Sequence, residues 1–236
     1  MNQGSVLLIT ATRLEAQPLR DLLTDKTDLD LLLGEGVEGT LFGARVQLLH
    51  LGVGKVNTAA GLALAIASLR PRAVIQFGIG GAYIGSFLSV CMVVAAEQDM
   101  HIDSGVKLEQ GWRDMRFLEL PLVENPKAYN RFPTDPDLTR TFEETIGMPA
   151  VSFGTSETVT GNFDDAARYY AQHEISVESM EGAAAAQVCT ALGVPFAELR
   201  SISNIVGERN KRAWNIPGAV RAVNDVVVLG LKNMFV

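Results

Sequence analysis

The sequence has few cysteines and histidines and no surplus of positive charge. Its 236 residues include two cysteines and three histidines, and 27 Asp and Glu stand against 20 Lys and Arg, a formal net charge of -7. Cys91 and Cys189 lie far apart without CxxC spacing or a neighbouring histidine, so neither a disulfide framework nor a metal site is indicated. Two reduced thiols fit a cytoplasmic protein. The acidic balance excludes nucleic acid as partner, because phosphate contacts require clustered Lys and Arg. Arg209, Lys211 and Arg212 form too short a cluster to reverse it. No run approaches the roughly 18 continuous apolar residues that would suggest a membrane span. Met1 to Ser5 puts no basic segment ahead of the short apolar run Val6–Ile9, so no signal peptide is expected.

What is present is apolar: 47% of the residues are hydrophobic, enough for one sizeable core. Short apolar runs alternate with amphipathic stretches, the pattern of strands interleaved with helices. Val6–Ile9 reads as a buried strand, and Leu14–Leu23 as a helix with Leu14, Leu19, Leu22 and Leu23 on one face. Thr40–Phe42 and Val46–Leu49 flank Gly43-Ala44 as an antiparallel hairpin. Lys55–Leu69 and Pro136–Ile146 read as helices, and Ala73–Phe77 and Val90–Ala96 as strands of a sheet covered on both faces. Residues 99–135 carry charge, Gly, Pro and scattered aromatics (Trp112, Phe117, Tyr129, Phe132) and are expected to form a long irregular loop that serves as a lid or meets another subunit. Further strands are expected at Ala150–Phe153, Ile175–Val177 and Pro195–Ser201, and helices at Ala183–Leu192 and Ala213–Met234, the last with Pro217 in its first turns. The expected architecture is one α/β domain over residues 1–236, a three-layer α/β/α arrangement with a mixed central sheet.

Glycine numbers 22, above the roughly 7% that is usual. Gly52-Val-Gly54-Lys55 suggests a phosphate loop, but Leu49 and Val56 stand where a Walker motif needs Gly and Ser or Thr, and Asn57 breaks GxGxxG. The two glycines are expected to let a strand turn tightly into a helix. Gly78-Ile-Gly80-Gly81 also follows a strand and is either such a turn or backbone approaching a ligand, since open α/β sheets bind ligands at strand carboxyl ends.

Polar groups gather at other strand ends. Glu15 opens a helix after the first strand, where a surface carboxylate is the plain alternative. Ser179-Met180-Glu181-Gly182 places a carboxylate at the start of an Ala-rich helix, where it would also complement the helix dipole. Arg200-Ser201-Ile202-Ser203-Asn204 ends another strand with small polar groups, or caps a helix. Together these positions define one pocket.

Those residues, with Thr158-Val159-Thr160-Gly161, occur in the order seen in the nucleoside phosphorylase and nucleosidase superfamily. Over nearly the whole chain the sequence resembles the bacterial futalosine hydrolases of menaquinone biosynthesis, relatives of methylthioadenosine/S-adenosylhomocysteine nucleosidase. The resemblance implies a nucleoside phosphorylase-like fold, no cofactor, a small nucleoside substrate and a homo-oligomer of at least two subunits. It also implies hydrolysis of a purine N-glycosidic bond through an oxocarbenium-like transition state. Glu15 would activate the attacking water, Glu181 would hold the ribose hydroxyls and Met180 would pack on the sugar. Gly80, Ser179 and backbone groups around Thr158 and Val159 would complete the substrate site.

Asn204 departs from the adenine-releasing relatives, which have Asp there. An amide can donate to O6 of a 6-oxopurine and accept from a protonated N7, whereas a carboxylate would oppose O6 lone pairs. Asn204 therefore argues for hypoxanthine as leaving group and stabilises it without protonating it. The loop around Gly78 has no preceding Arg, and Ile79 stands where a phosphate-binding Ser would be expected, so water is the expected nucleophile; Arg13, near Glu15, is a cation that could argue otherwise. Arg209, Lys211 and Arg212, beside Trp214, would meet the aromatic carboxylate of futalosine or form a solvated helix start. The remaining alternatives are aminofutalosine or methylthioadenosine/S-adenosylhomocysteine as substrate, or phosphorolysis of a 6-oxopurine nucleoside.

Overall fold

The computed structural model describes residues 4–235. Its strands are β1 (Val6–Thr10), β2 (Thr24–Leu29), β3 (Glu35–Leu41), β4 (Ala44–His50), β5 (Ala73–Ala82), β6 (Val93–His101), β7 (Gly105–Leu108), β8 (Gly111–Asp114), β9 (Arg131–Pro133), β10 (Val151–Thr155), β11 (Val177–Ser179) and β12 (Phe196–Ile205). Its α-helices are α1 (Arg13–Leu22), α2 (Lys55–Leu69), α3 (Pro136–Ile146), α4 (Phe163–His173), α5 (Gly182–Leu192) and α6 (Ile216–Phe235).

The main sheet runs β11-β10-β6-β12-β5-β1-β4-β3-β2 and is mixed: β4, β1, β5 and β12 are parallel neighbours, while β3 pairs antiparallel with β4, and β6 with β12. β11 also pairs antiparallel with β5, so β5, β12, β6, β10 and β11 close on themselves. This closure brings the ends of β5, β11 and β12 against one another. β1 is buried at every position and serves both faces: Val6 and Leu8 pack with α1, α3 and α6, whereas Leu7 and Ile9 pack with α2 and α5. The period-2 pattern is silent in such a strand because both faces are covered.

Several expectations need correction. In α1 the buried residues are Glu15, Ala16 and Leu19, while Leu14 and Leu22 are exposed. Residues 99–135 are not one irregular loop: β6 continues to His101, β7 and β8 form a hairpin, and β9 pairs back onto β6 with Phe132 in the core. The strand expected at Val90–Ala96 begins at Val93 and runs on to His101 as β6; Asp99 and His101 interrupt its apolar pattern, yet both are buried. Trp112 stacks edge-on against His173 of α4 (4.9 Å between centroids). β12 extends to Ile205, so Arg200–Asn204 lies within a strand and caps no helix. Residues 211–213 form a separate 3₁₀ turn before α6. Cys189 is buried and Cys91 half-buried. Among the described residues no helix is long and apolar enough to cross a membrane.

Candidate active site

A cavity of about 340 Å³ opens where β1, β5, β11 and β12 end, the place at which α/β sheets bind ligands. Of the residues singled out from sequence, Glu15, Gly80, Val159, Ser179, Met180, Glu181 and Asn204 line it. Thr158 does not; it is exposed, and its carbonyl accepts from Ser156 Oγ (2.9 Å).

Glu15 is 4% exposed and turned inward by a capping box. Thr12 N–H and Thr12 Oγ1 donate to its Oε2 (2.9 and 2.8 Å), and Ile79 N–H donates to its Oε1 (3.0 Å). A carboxylate has about four acceptor positions, so one is left for the cavity. Gly78 lies beneath: a Cβ there would run into Glu15 Oε1 and meet Arg200 Nη1. This glycine serves two side chains that converge, rather than direct approach of a ligand.

Glu181 is the N-cap residue of α5, but its side chain makes no cap hydrogen bond; its Oε1 accepts from Gly54 N–H (3.1 Å), and its Oε2 lies 3.5 Å from Arg200 Nη1. Gly52 and Gly54, at φ +100° and +93°, make the tight strand-to-helix turn that the sequence suggested and also present this N–H. Burial pushes the Glu181 carboxyl above its usual range; Arg200 and the Gly54 amide oppose the shift, and Glu15 and Glu198 add to it.

Arg200 has no role assigned from the sequence. It is 1% exposed, donates from Nε to Glu198 (2.8 Å) and from Nη1 to Ile79 O (3.2 Å). Burial alone would lower its pKa, but Glu198, Glu181 and Glu15 outweigh that and keep it charged. Beneath it, burial and then the adjacent Glu198 push Asp99 well above the carboxylate range, and Thr155 Oγ1 donates to it. Gly182 leaves room for this carboxylate pair at the start of α5. The signal that could have found Arg200 was Glu198-Leu-Arg200, since positions two apart in a strand share a face.

At the other end, Asn204 is 9% exposed, with Oδ1 accepting from Ser203 Oγ (2.7 Å) and Nδ2 donating to Ile205 O (3.0 Å). Glu178, unremarked in the sequence, is buried beside Thr160 and Tyr83 and also lines the cavity. Leu14, Val53, Trp214 and Ile216 supply apolar surface. Arg209 is exposed over the Trp214 ring (5.3 Å to the centroid); Arg209, Lys211, Arg212 and Arg13 are not among the lining residues. Among the described residues no cluster of three His, Cys, Asp or Glu is placed to hold a metal ion.

Residues 5–229 match the family model described as the phosphorylase superfamily. The futalosine hydrolase of Thermus thermophilus is 36% identical over 221 residues, 94% of this chain and 92% of that protein. The 5'-methylthioadenosine/S-adenosylhomocysteine nucleosidase of Geobacillus sp. is 30% identical over 212 residues, 87% of each. The native structure of futalosine hydrolase from Helicobacter pylori superposes with a TM-score of 0.84 at 19% identity, covering 98% of each chain, and shares the fold. A family match over nearly the full length, joined to these relatives, makes the chain a member of the phosphorylase superfamily.

Proposed function

We propose that the protein is a nucleosidase that hydrolyses the N-glycosidic bond of futalosine, releasing hypoxanthine and leaving dehypoxanthine futalosine. The observation that carries the reading is the charge of the cavity: its lining holds three carboxylates, Glu15, Glu178 and Glu181, against one guanidinium, Arg200. Arg200 is already engaged by Glu198 and Glu181. Such a cavity repels a phosphate dianion and suits a neutral nucleophile and a sugar that becomes cationic. The relatives named above supply the choice of nucleoside.

As the C1′–N9 bond of the substrate lengthens, positive charge grows on the ribose ring. Glu181 accepts hydrogen bonds from the sugar hydroxyls, which strengthen as that charge develops. Met180 packs against the ring. Water held at the free acceptor position of Glu15 attacks C1′ and gives Glu15 a proton, while the bonding electrons pass to the purine. A positioned base contributes roughly 10² to 10⁴-fold. Asn204 donates to O6 and accepts from the protonated N7, whose proton comes from solvent water. Backbone near Val159 borders the base. A homo-oligomeric state, a cytoplasmic location and a place in menaquinone biosynthesis belong to the same proposal.

A panel assay tests it: futalosine, aminofutalosine, methylthioadenosine and inosine, each followed by chromatography of the released base. Futalosine is expected to turn over fastest and to give hypoxanthine. A faster release of adenine from either 6-amino substrate would overturn the choice of leaving group.

A further inference from the structure

The sugar chemistry engages Glu15, Glu181 and Met180, and leaves one buried carboxylate in the cavity without a task. Glu178 is 7% exposed and lines the cavity from β11. In the sheet it stands opposite Gly81 of β5, and Asn204 of β12 stands opposite the same Gly81 from the other side. Two strand spacings of about 4.8 Å thus separate the Glu178 and Asn204 backbones, with a residue lacking a side chain between them. Both side chains border the cavity above that floor, and Val159 and Val206 supply apolar surface nearby. A flat heterocycle fits such a slot, with a polar group at each side.

The chemistry of the two sides differs. Tyr83 Oη donates to Glu178 Oε2 (2.7 Å), Thr160 N–H donates to Oε1 (3.0 Å), and the Thr160 hydroxyl donates to Oε2. With about four acceptor positions on a carboxylate, three donors leave one. The same contacts occupy the Thr160 N–H. The Glu178 side therefore offers an acceptor. On the Asn204 side, one Nδ2 hydrogen goes to Ile205 O (3.0 Å) and the second is left to donate.

A 6-oxopurine has that complementary pattern, with a hydrogen on N1 next to the acceptor O6; a 6-aminopurine has a lone pair on N1 next to an NH₂ group. We infer that Glu178 is a specificity-determining residue that accepts the N1–H of a 6-oxopurine base, so that Glu178 and Asn204 together read N1–H and O6. The inference rests on the reading that hypoxanthine is the leaving group, and deepens it. Adenine in the same position sets its N1 lone pair against the Glu178 carboxylate and its NH₂ against the Asn204 donor, and buried groups left unpaired are costly.

Titration calorimetry with free bases tests the contact without requiring turnover. Wild-type protein is expected to bind hypoxanthine roughly 10- to 100-fold more tightly than adenine or 1-methylhypoxanthine, which lacks the N1 hydrogen. In Glu178→Gln the preference for hypoxanthine over adenine is expected to fall at least tenfold, with kcat/KM for futalosine falling in parallel. Equal affinity of the wild type for hypoxanthine and 1-methylhypoxanthine overturns the role of Glu178 and leaves hypoxanthine release standing. An unchanged base preference in a folded Glu178→Gln variant does the same. Wild-type protein that prefers adenine overturns both.

Discussion

Asn224 of α6 holds the turn of α1 that carries Glu15. Its Nδ2 donates to the Glu15 carbonyl oxygen (3.0 Å), and its Oδ1 accepts from Leu19 N–H (3.1 Å). The amide thus bridges an acceptor and a donor that face each other one turn apart, beside Pro18, which has no N–H of its own to give the helix. Asn224 is 3% exposed, so its loss leaves buried backbone groups unpaired. Asn224→Ala is expected to destabilise the fold by about 1–3 kcal/mol and to lower kcat more than it raises KM, because Glu15 loses its seat. Urea denaturation and steady-state kinetics check this; wild-type values in both would show that the bridge positions nothing.

Glu15→Gln should separate chemistry from binding. The amide keeps an oxygen for Ile79 N–H or for Thr12 but cannot take a proton from water. kcat is expected to fall by roughly 10² to 10⁴-fold, while the affinity for a non-hydrolysable nucleoside analogue stays within a few-fold of wild type. A variant with ordinary turnover would remove Glu15 from the chemistry.

The acidic limb of the pH profile should lie above the usual carboxylate range. Burial pushes Glu181 upward, so as pH falls it takes up a proton earlier than an exposed glutamate would. The protonated form cannot accept from both sugar hydroxyls, so activity is expected to rise with pH as Glu181 loses its proton and then to level. Stability runs the opposite way: a raised folded-state pKa favours the fold below the unfolded value, and that contribution fades as pH rises through the folded one. A kcat/KM profile for wild type whose acid limb sits at the ordinary glutamate value would contradict the role given to Glu181.

Gly78→Ala tests the convergence of Glu15 and Arg200. The added methyl would collide with Glu15 Oε1 and stand about 3.0 Å from Arg200 Nη1, as geometry at Gly78 requires. A 1 Å displacement of a catalytic group costs on the order of 10²-fold, and a loss of that size in kcat is expected, with α1 and the sheet still folded by circular dichroism. Unaltered kcat would mean that the carboxylate need not sit where it does.

The mixed α/β layout and several helices were legible in the sequence because their periodicity and punctuation agreed. α2 and α3 have the predicted bounds, each stopped by a residue in the left-handed region, Arg70 and Gly147. Glycine clusters at strand ends pointed to the cavity. What stayed hidden depended on partners distant in sequence. A buried Arg200 makes sense only beside Glu198 and Glu181, and β6 runs through Asp99 and His101 because Thr155 and Gln187 satisfy them. α1 looked amphipathic through its leucines, yet the face it buries carries Glu15 beside Ala16 and Leu19, because the helix covers the edge of the cavity as well as the core.

In the proposed reaction water, not phosphate, takes the sugar from hypoxanthine. The most direct measurement is the rate of hypoxanthine release from futalosine in phosphate-free buffer and again with added phosphate, with the sugar product analysed in both. The expected result is the same rate in each and only the unphosphorylated sugar. Turnover that requires phosphate, or a sugar 1-phosphate among the products, would contradict it.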